Sequence, residues 1–400
     1  MKIRICDDEK ESADNWVSEI KAALGDDHDI ARVEDVLGAV ENLVSRKKTI
    51  LGEATDSPSE FGDLDGSDVL VIDFDLVHID DGGARTSGEG VARLVQSYAE
   101  CGYIVVLNQY QPVIDFDLSL VGHLQSYADK NLNSELIGYT SLWKSDAEAE
   151  FNPSYWTNIP DVVAGREKLL GELGDNLDWS LLDFIELAPP DISKIGDTAF
   201  AFLSNEAQNI DDLSSVSAKE FLSNILDKDE AHAISSKTPK IANKLVVSRL
   251  AKWFDRLILR PLDTVIDVPH LAAKYPFLVE ATSDEINSPD FWCDHSRQWE
   301  AHLKREMIKD AKLTNAEMLV GREVYSVARI EGLAEFEKLR DEFDYSNFPS
   351  IVFAEDISHF IEIADATEFR AGFHNFNDRR FVKNVDGKNY GPLRRFAFGD

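Results

Sequence analysis

The sequence predicts an α/β protein: a doubly wound, five-stranded parallel sheet comes first, then a mostly helical region, then a small α+β unit. Two apolar runs of strand length, residues 69–72 and 104–107, stop at Asp73 and Asn108. Strands buried on both faces of a parallel sheet read this way. Helical-period stretches separate the runs, and strands alternating with helices imply a doubly wound sheet. Ligands of such sheets collect at the carboxyl ends of the strands, where Asp7, Asp8, Asp73 and Asn108 all fall.

In chain order, residues 2–6 alternate as a strand and stop at Asp7 and Asp8, after which Trp16, Ile20 and Leu24 recur at helical spacing. A short strand around 30–33 and a helix over about 35–51 follow. Residues 54–67 are rich in Ser, Gly, Asp and Pro and read as a surface insertion. A helix near 88–100 precedes the second apolar strand. The domain boundaries expected are 1–140 for the parallel sheet, 155–310 for a helical middle domain and 316–400 for an α+β unit with a basic-aromatic tail. In that last unit, 324–330 and 350–354 read as strands flanking a charged helix at 333–343.

Composition narrows the function. Forty-one Lys and Arg against 74 Asp and Glu leave a formal charge of −33, which repels nucleic acid and anionic membranes over most of the molecule. Nucleic acid is therefore not expected as a partner. The three cysteines, Cys6, Cys101 and Cys293, have no paired spacing, so neither a disulfide framework nor a zinc knuckle is expected. No apolar run approaches the roughly 18 residues of a membrane span, and the amino terminus has no signal core. The expectation is a soluble, cytoplasmic protein.

The chemistry-bearing residues are carboxylates. Asp7 and Asp8 at one strand end and Asp73 at another would place three acids in one crevice, a set suited to Mg²⁺. Asn108 and Lys130 would add donors and positive charge. At these positions the chain resembles the receiver domains of response regulators: Ile-Cys-Asp-Asp-Glu after the first strand, Val-Ile-Asp-Phe-Asp-Leu at the third, Ile-Val-Val-Leu-Asn at the fourth, and Tyr-Ala-Asp-Lys further on. The resemblance covers about residues 1–140 and implies a flavodoxin-like fold. It also implies Asp73 as phosphoryl acceptor, with Asn108 and Lys130 beside it. Mg²⁺ would be held by Asp7, Asp8, Asp73 and the backbone carbonyl of Asp75, and a histidine kinase or other phosphodonor protein would be the partner. The chain departs from the family at Asn108, where Ser or Thr is usual, at Asn131, where Pro usually follows the lysine, and in the 54–67 insertion.

Outside that part, residues 237–260 form the most distinct segment. Val246, Val247, Leu250, Trp253, Phe254, Leu257 and Ile258 fall on one helical face, and Lys244, Arg249, Lys252, Arg256 and Arg260 on the other. The apolar face is expected to pack in the middle domain and the basic face to meet water or the protein's own acids. A polyanion or acidic partner is the alternative. The tail over 373–398 interleaves aromatics with Arg379, Arg380, Lys383, Lys388, Arg394 and Arg395, and is expected to clamp the acidic body. Weaker metal or catalytic candidates are Cys293 with Asp294 and His295, Asp267 with His270, and Glu355 with Asp356.

Taken together, these features suggest an atypical response regulator whose receiver gates a C-terminal interaction region through a protein partner or a dimer contact. The long output region resembles receiver-containing proteins of prokaryotic conflict and antiphage systems. A receiver-controlled hydrolase of nucleotides or nucleic acid, and an unphosphorylated docking scaffold, are the alternatives.

Overall fold

The computed structural model describes residues 1–54, 62–76, 80–81, 84–85, 87–109, 116, 118, 120, 122–144, 151–204, 212, 214–296, 298–369, 379–385 and 390. The first part alternates strand and helix: β1 (Lys2–Cys6), α1 (Lys10–Leu24), β2 (Asp29–Arg32), α2 (Val36–Leu51), β3 (Val69–Asp73), α3 (Gly88–Tyr98), β4 (Tyr103–Asn108) and β5 (Lys130–Asn133). All five strands pair in parallel, in the order β2-β1-β3-β4-β5. This doubly wound order is compatible with a flavodoxin-like fold. Ile3, Ile5 and all of residues 69–72 are fully buried, as their unbroken apolar character requires. In α1 the recurring Ala13, Trp16, Ile20 and Ala23 turn one stripe toward the sheet.

The 54–67 segment is not simply a surface insertion. Residues 55–61 lie outside the described residues, while Leu64 and Asp65 are buried. Asp65 accepts two hydrogen bonds from the Arg46 guanidinium, at 2.8 and 2.7 Å, and one from the Glu100 amide. A bidentate ion pair thus ties the segment to α2.

Helices dominate the next stretch, chiefly α4 (Ile159–Leu173), α5 (Ala218–Ile225), α6 (Lys228–Lys237) and α7 (Pro239–Trp253), the last continued by a π-helical turn over Phe254–Leu259. There follow β6 (Val265–Asp267), α8 (Val268–Lys274), α9 (Thr314–Val320), β7 (Val324–Ser326) and α10 (Val327–Glu331). The 324–330 run is therefore half strand and half helix. The Ser326 hydroxyl accepts from the Arg329 amide and starts the helix, a cap that apolar periodicity alone does not reveal. A four-stranded sheet, β8 (Ile351–Ala354), β9 (His359–Glu362), β10 (Thr367–Phe369) and β11 (Arg380–Val382), ends the described chain in the order β9-β8-β11-β10. Of the basic-aromatic tail, Lys388, Arg394 and Arg395 lie outside the described residues.

The α7 segment departs most from expectation. Every residue of α7 from Ile241 to Trp253 is buried, so it has no solvent face. The basic side chains end on backbone carbonyls of the first part of the chain. Lys244 donates to Val95 and Ala99 at 3.2 and 2.6 Å, Arg249 to Ser126 at 2.6 Å, and Lys252 to Ala128 at 2.9 Å. Val95 lies in the last turn of α3 and Ala99 caps it, and carbonyls at a helix C-terminus carry partial negative charge that suits an ammonium.

Candidate metal centre

Parallel pairing brings the acids together. β1 and β3 are neighbours with Cys6 opposite Ile72, so the next residue of each chain, Asp7 and Asp73, leaves the sheet at the same edge. Asp7, Asp8 and Asp73 each place a carboxylate oxygen within 4.8 Å of the others. Asp7 is 5% exposed and Asp73 only 1%. Among the described residues this is the one set of three or more acidic, His or Cys side chains with cation-binding spacing.

Burial and the charge of neighbouring acids dominate at Asp7 and Asp73. Burial, then the neighbouring Asp7 and Asp8, push the Asp73 carboxyl up to about 7. Burial raises Asp7 to about 6, although the Glu9 amide donates to it at 2.8 Å and opposes the rise. Cys6, beneath them, is pushed up to about 12 by burial and by Asp7, Asp73 and Asp8. Asp7 Oδ2 and Asp73 Oδ1 are buried and accept no hydrogen bond. Orphaned buried oxygens with raised affinity for protons are what a divalent cation would satisfy, so this donor set fits Mg²⁺.

The other expected site residues divide. Asp75 stays beside Asp73, its side chain exposed and its amide donating to the Asp73 carboxylate. Asn108 is buried at the end of β4, one position past Leu107, the partner of Asp73 across the sheet. Lys130 is not brought to the cluster. It begins β5 opposite Val105, and the residue opposite Asn108 at the carboxyl end is Asn133. Three residues of strand separate Lys130 from that end, about 10 Å at the usual rise. Its ammonium lies 3.7 Å from Asp255 instead. The register of β5 decides this, and a one-sequence reading of Tyr-Ala-Asp-Lys cannot supply it. Gln109 is a neighbour the sequence reading missed. Its Nε2 donates to Asp73 Oδ2 at 3.5 Å, a contact its place just after a strand end would have suggested. Tyr110, next along, lies outside the described residues.

A second acidic constellation forms at the junction of the later elements. His270 Nδ1 lies 2.5 Å from Asp267 Oδ1 and its Nε2 lies 3.4 Å from Glu355 Oε1, joining two candidate pairs that the sequence kept apart. Arg380 grips both oxygens of Glu355 and donates to the Tyr155 hydroxyl at 2.6 Å. Arg322 approaches Asp267 and Asp255 at 3.8 and 3.7 Å. Burial alone would raise these three acids, but the surrounding cations hold Asp255, Asp267 and Glu355 below their ordinary values. Asp356 instead accepts the Lys383 and Asn384 amides, both at 2.8 Å, and shapes a turn. Cys293 and His295 do not join a cation-spaced set among the described residues.

Fold and site together define an α/β protein with a carboxylate crevice at the carboxyl edge of an all-parallel sheet. No protein-family model, no curated protein and no solved structure matches the chain. Among the described residues no helix is long and apolar enough to cross a membrane.

Proposed function

We propose that this chain is an atypical response regulator, in which Asp7, Asp8 and Asp73 hold Mg²⁺ and Asp73 accepts a phosphoryl group that gates the C-terminal region. The observation that carries the reading is the orphaned pair of buried oxygens, Asp7 Oδ2 and Asp73 Oδ1, at the ends of adjacent parallel strands. Bound Mg²⁺ would neutralise the phosphoryl oxygens as charge accumulates there. Asp73 would attack phosphorus with one carboxylate oxygen. The new P–O bond replaces the P–N bond of a donor phosphohistidine, whose imidazole leaves and takes up a proton. Gln109, 3.5 Å from Asp73 Oδ2, would orient the acceptor through its amide, and Asn108 at the end of the neighbouring strand would add a second donor.

The test is incubation of the whole protein with Mg²⁺ and either acetyl phosphate or a phosphorylated histidine kinase. The expected result is an acid-stable, base-labile mass increase of one phosphoryl group, lost in Asp73→Asn. A protein that binds Mg²⁺ yet takes up no phosphoryl group would support a second reading, a metal-holding docking module. That reading draws on the placement of Lys130 beside Asp255, which leaves the crevice without that ammonium.

A further inference from the structure

The crevice and the C-terminal region meet through one short helix. Gly88 opens α3 directly on the acceptor backbone: a Cβ there would lie 2.0 Å from the Asp73 carbonyl oxygen. Only glycine fits so close an approach. The Gly88 amide also donates to the Phe74 carbonyl at 2.9 Å, so the start of α3 is bonded to the residue after the acceptor.

The next residue, Glu89, reaches β5 and the segment that leads into it. Its carboxylate accepts from the Ser126 hydroxyl at 2.8 and 2.9 Å and from the Asn131 amide at 2.8 Å. The Ser126 carbonyl in turn accepts from Arg249 at 2.6 Å and from Lys252 at 3.3 Å, both on α7. These two cations are 4% exposed, and they donate to the backbone carbonyls of Ser126 and Ala128. Further along α3, Gln96 donates to the Ser248 hydroxyl at 2.9 Å, and the Val95 and Ala99 carbonyls hold Lys244. α3 is thus seated on Asp73 at one end and gripped by α7 at the other.

We infer that α3 is the transmission element of this protein, and that Glu89 is the positioning residue that links the Asp73 crevice to α7 through Ser126. The inference rests on the reading of the crevice as a Mg²⁺ and phosphoryl site, and concerns how a change there is passed on. Neutralising the crevice shifts the Asp73–Phe74 backbone, α3 moves as a rigid rod, and Glu89 carries Ser126 with it. Arg249 and Lys252 cannot follow freely, because each is desolvated and would lose a carbonyl partner. The contact is therefore a discrete repacking of one helix on another, the kind of step that makes a small shift matter.

Hydrogen exchange of the full chain, with Mg²⁺ and beryllofluoride as the phosphoryl mimic, tests this. In the wild type, ligand should change protection over residues 126–131 and over 239–253. In Glu89→Gln, which keeps the side-chain shape and lies outside the carboxylate set, the Mg²⁺-induced rise in melting temperature should persist while the change over 239–253 is lost. Ser126→Ala, which removes the hydroxyl but keeps the carbonyl, should weaken the same response and serves if Glu89→Gln does not fold. A variant that transmits the change undiminished, or a wild type that binds the mimic with 239–253 unaltered, overturns the role of α3 and leaves the crevice reading intact. A wild type whose melting point ignores both Mg²⁺ and the mimic overturns the crevice reading and this inference with it.

Discussion

The two buried acidic clusters of this molecule are built from the same residue types and are opposite in character. At the junction, Asp255, Asp267 and Glu355 are matched by Arg260, Arg322, Arg380, Lys130 and His270, and their carboxyls sit below the ordinary range. In the crevice, Asp7 and Asp73 have acids for neighbours and sit above it, at about 6 and about 7. Burial costs both clusters solvation. In the first, cations of the protein offset that cost and the cluster acts as architecture; in the second, amide donors offset only part of it, and a cation from outside could supply the rest.

The largest expected effect probes the matched cluster. Arg380→Ala strands Glu355 with His270 alone, and removing one partner of a buried ion pair costs about 3–5 kcal/mol. Urea denaturation should show that loss, and a change below about 1 kcal/mol would mean that the junction is not held by charge.

The crevice should respond with the opposite sign. Asp73→Asn removes a repelling charge at nearly constant shape, so the metal-free variant should melt no lower than wild type and should respond less to Mg²⁺. Wild type at a Mg²⁺ concentration about 100-fold above Kd should gain about 2.7 kcal/mol, and Asp8→Asn should blunt the gain. A metal-free Asp73→Asn protein that melts well below wild type would erase the contrast between the clusters.

His270 sharpens the comparison through pH. Burial would lower its pKa, but Asp267 and Glu355 outweigh burial and hold it above the ordinary 6.5. Tyr155 and Phe353 supply the ring contacts around it. A raised folded-state value stabilises the protein fully below pH 6.5, and the contribution fades as pH rises through the folded pKa. His270→Gln should therefore cost about 2 kcal/mol near pH 6, the scale of hydrogen bonds to charged groups, and progressively less in alkaline buffer. A deficit that grows with pH would reverse the assignment.

The smallest effect comes from the residue next to Arg380. Arg379 is more than half exposed and pairs with Glu368 at 2.7 Å. Arg379→Ala should cost under about 1 kcal/mol and less still in high salt, since solvent screens exposed pairs. Comparable losses at 379 and 380 would show that burial is not what separates the two arginines.

Much of the parallel sheet was legible because its strands announce themselves. Residues 69–72 and 104–107 are apolar on both faces and stop at polar residues, so their ends, and the acids at those ends, could be placed from the chain alone. The β5 strand, Lys-Asn-Leu-Asn, carries no such signal, and the expectation that Lys130 stands beside Asp73 had no register behind it. The basic stripe of α7 was read correctly as a pattern, and of the two surroundings expected for it, water or the protein's own acids, burial excludes water for residues 241–253. Backbone carbonyls, which every residue has, proved to be its partners. Glu89 was invisible for a related reason: its role depends on Ser126 and Asn131, brought to it by folding.

By itself the sequence determined the doubly wound sheet and the meeting of Asp7 with Asp73, because apolar runs of strand length force burial and parallel pairing aligns their ends. The tertiary structure alone decided which buried charges are paired. Whether a carboxylate meets an arginine, a lysine or another carboxylate depends on register and on how distant segments pack. Local periodicity is blind to both.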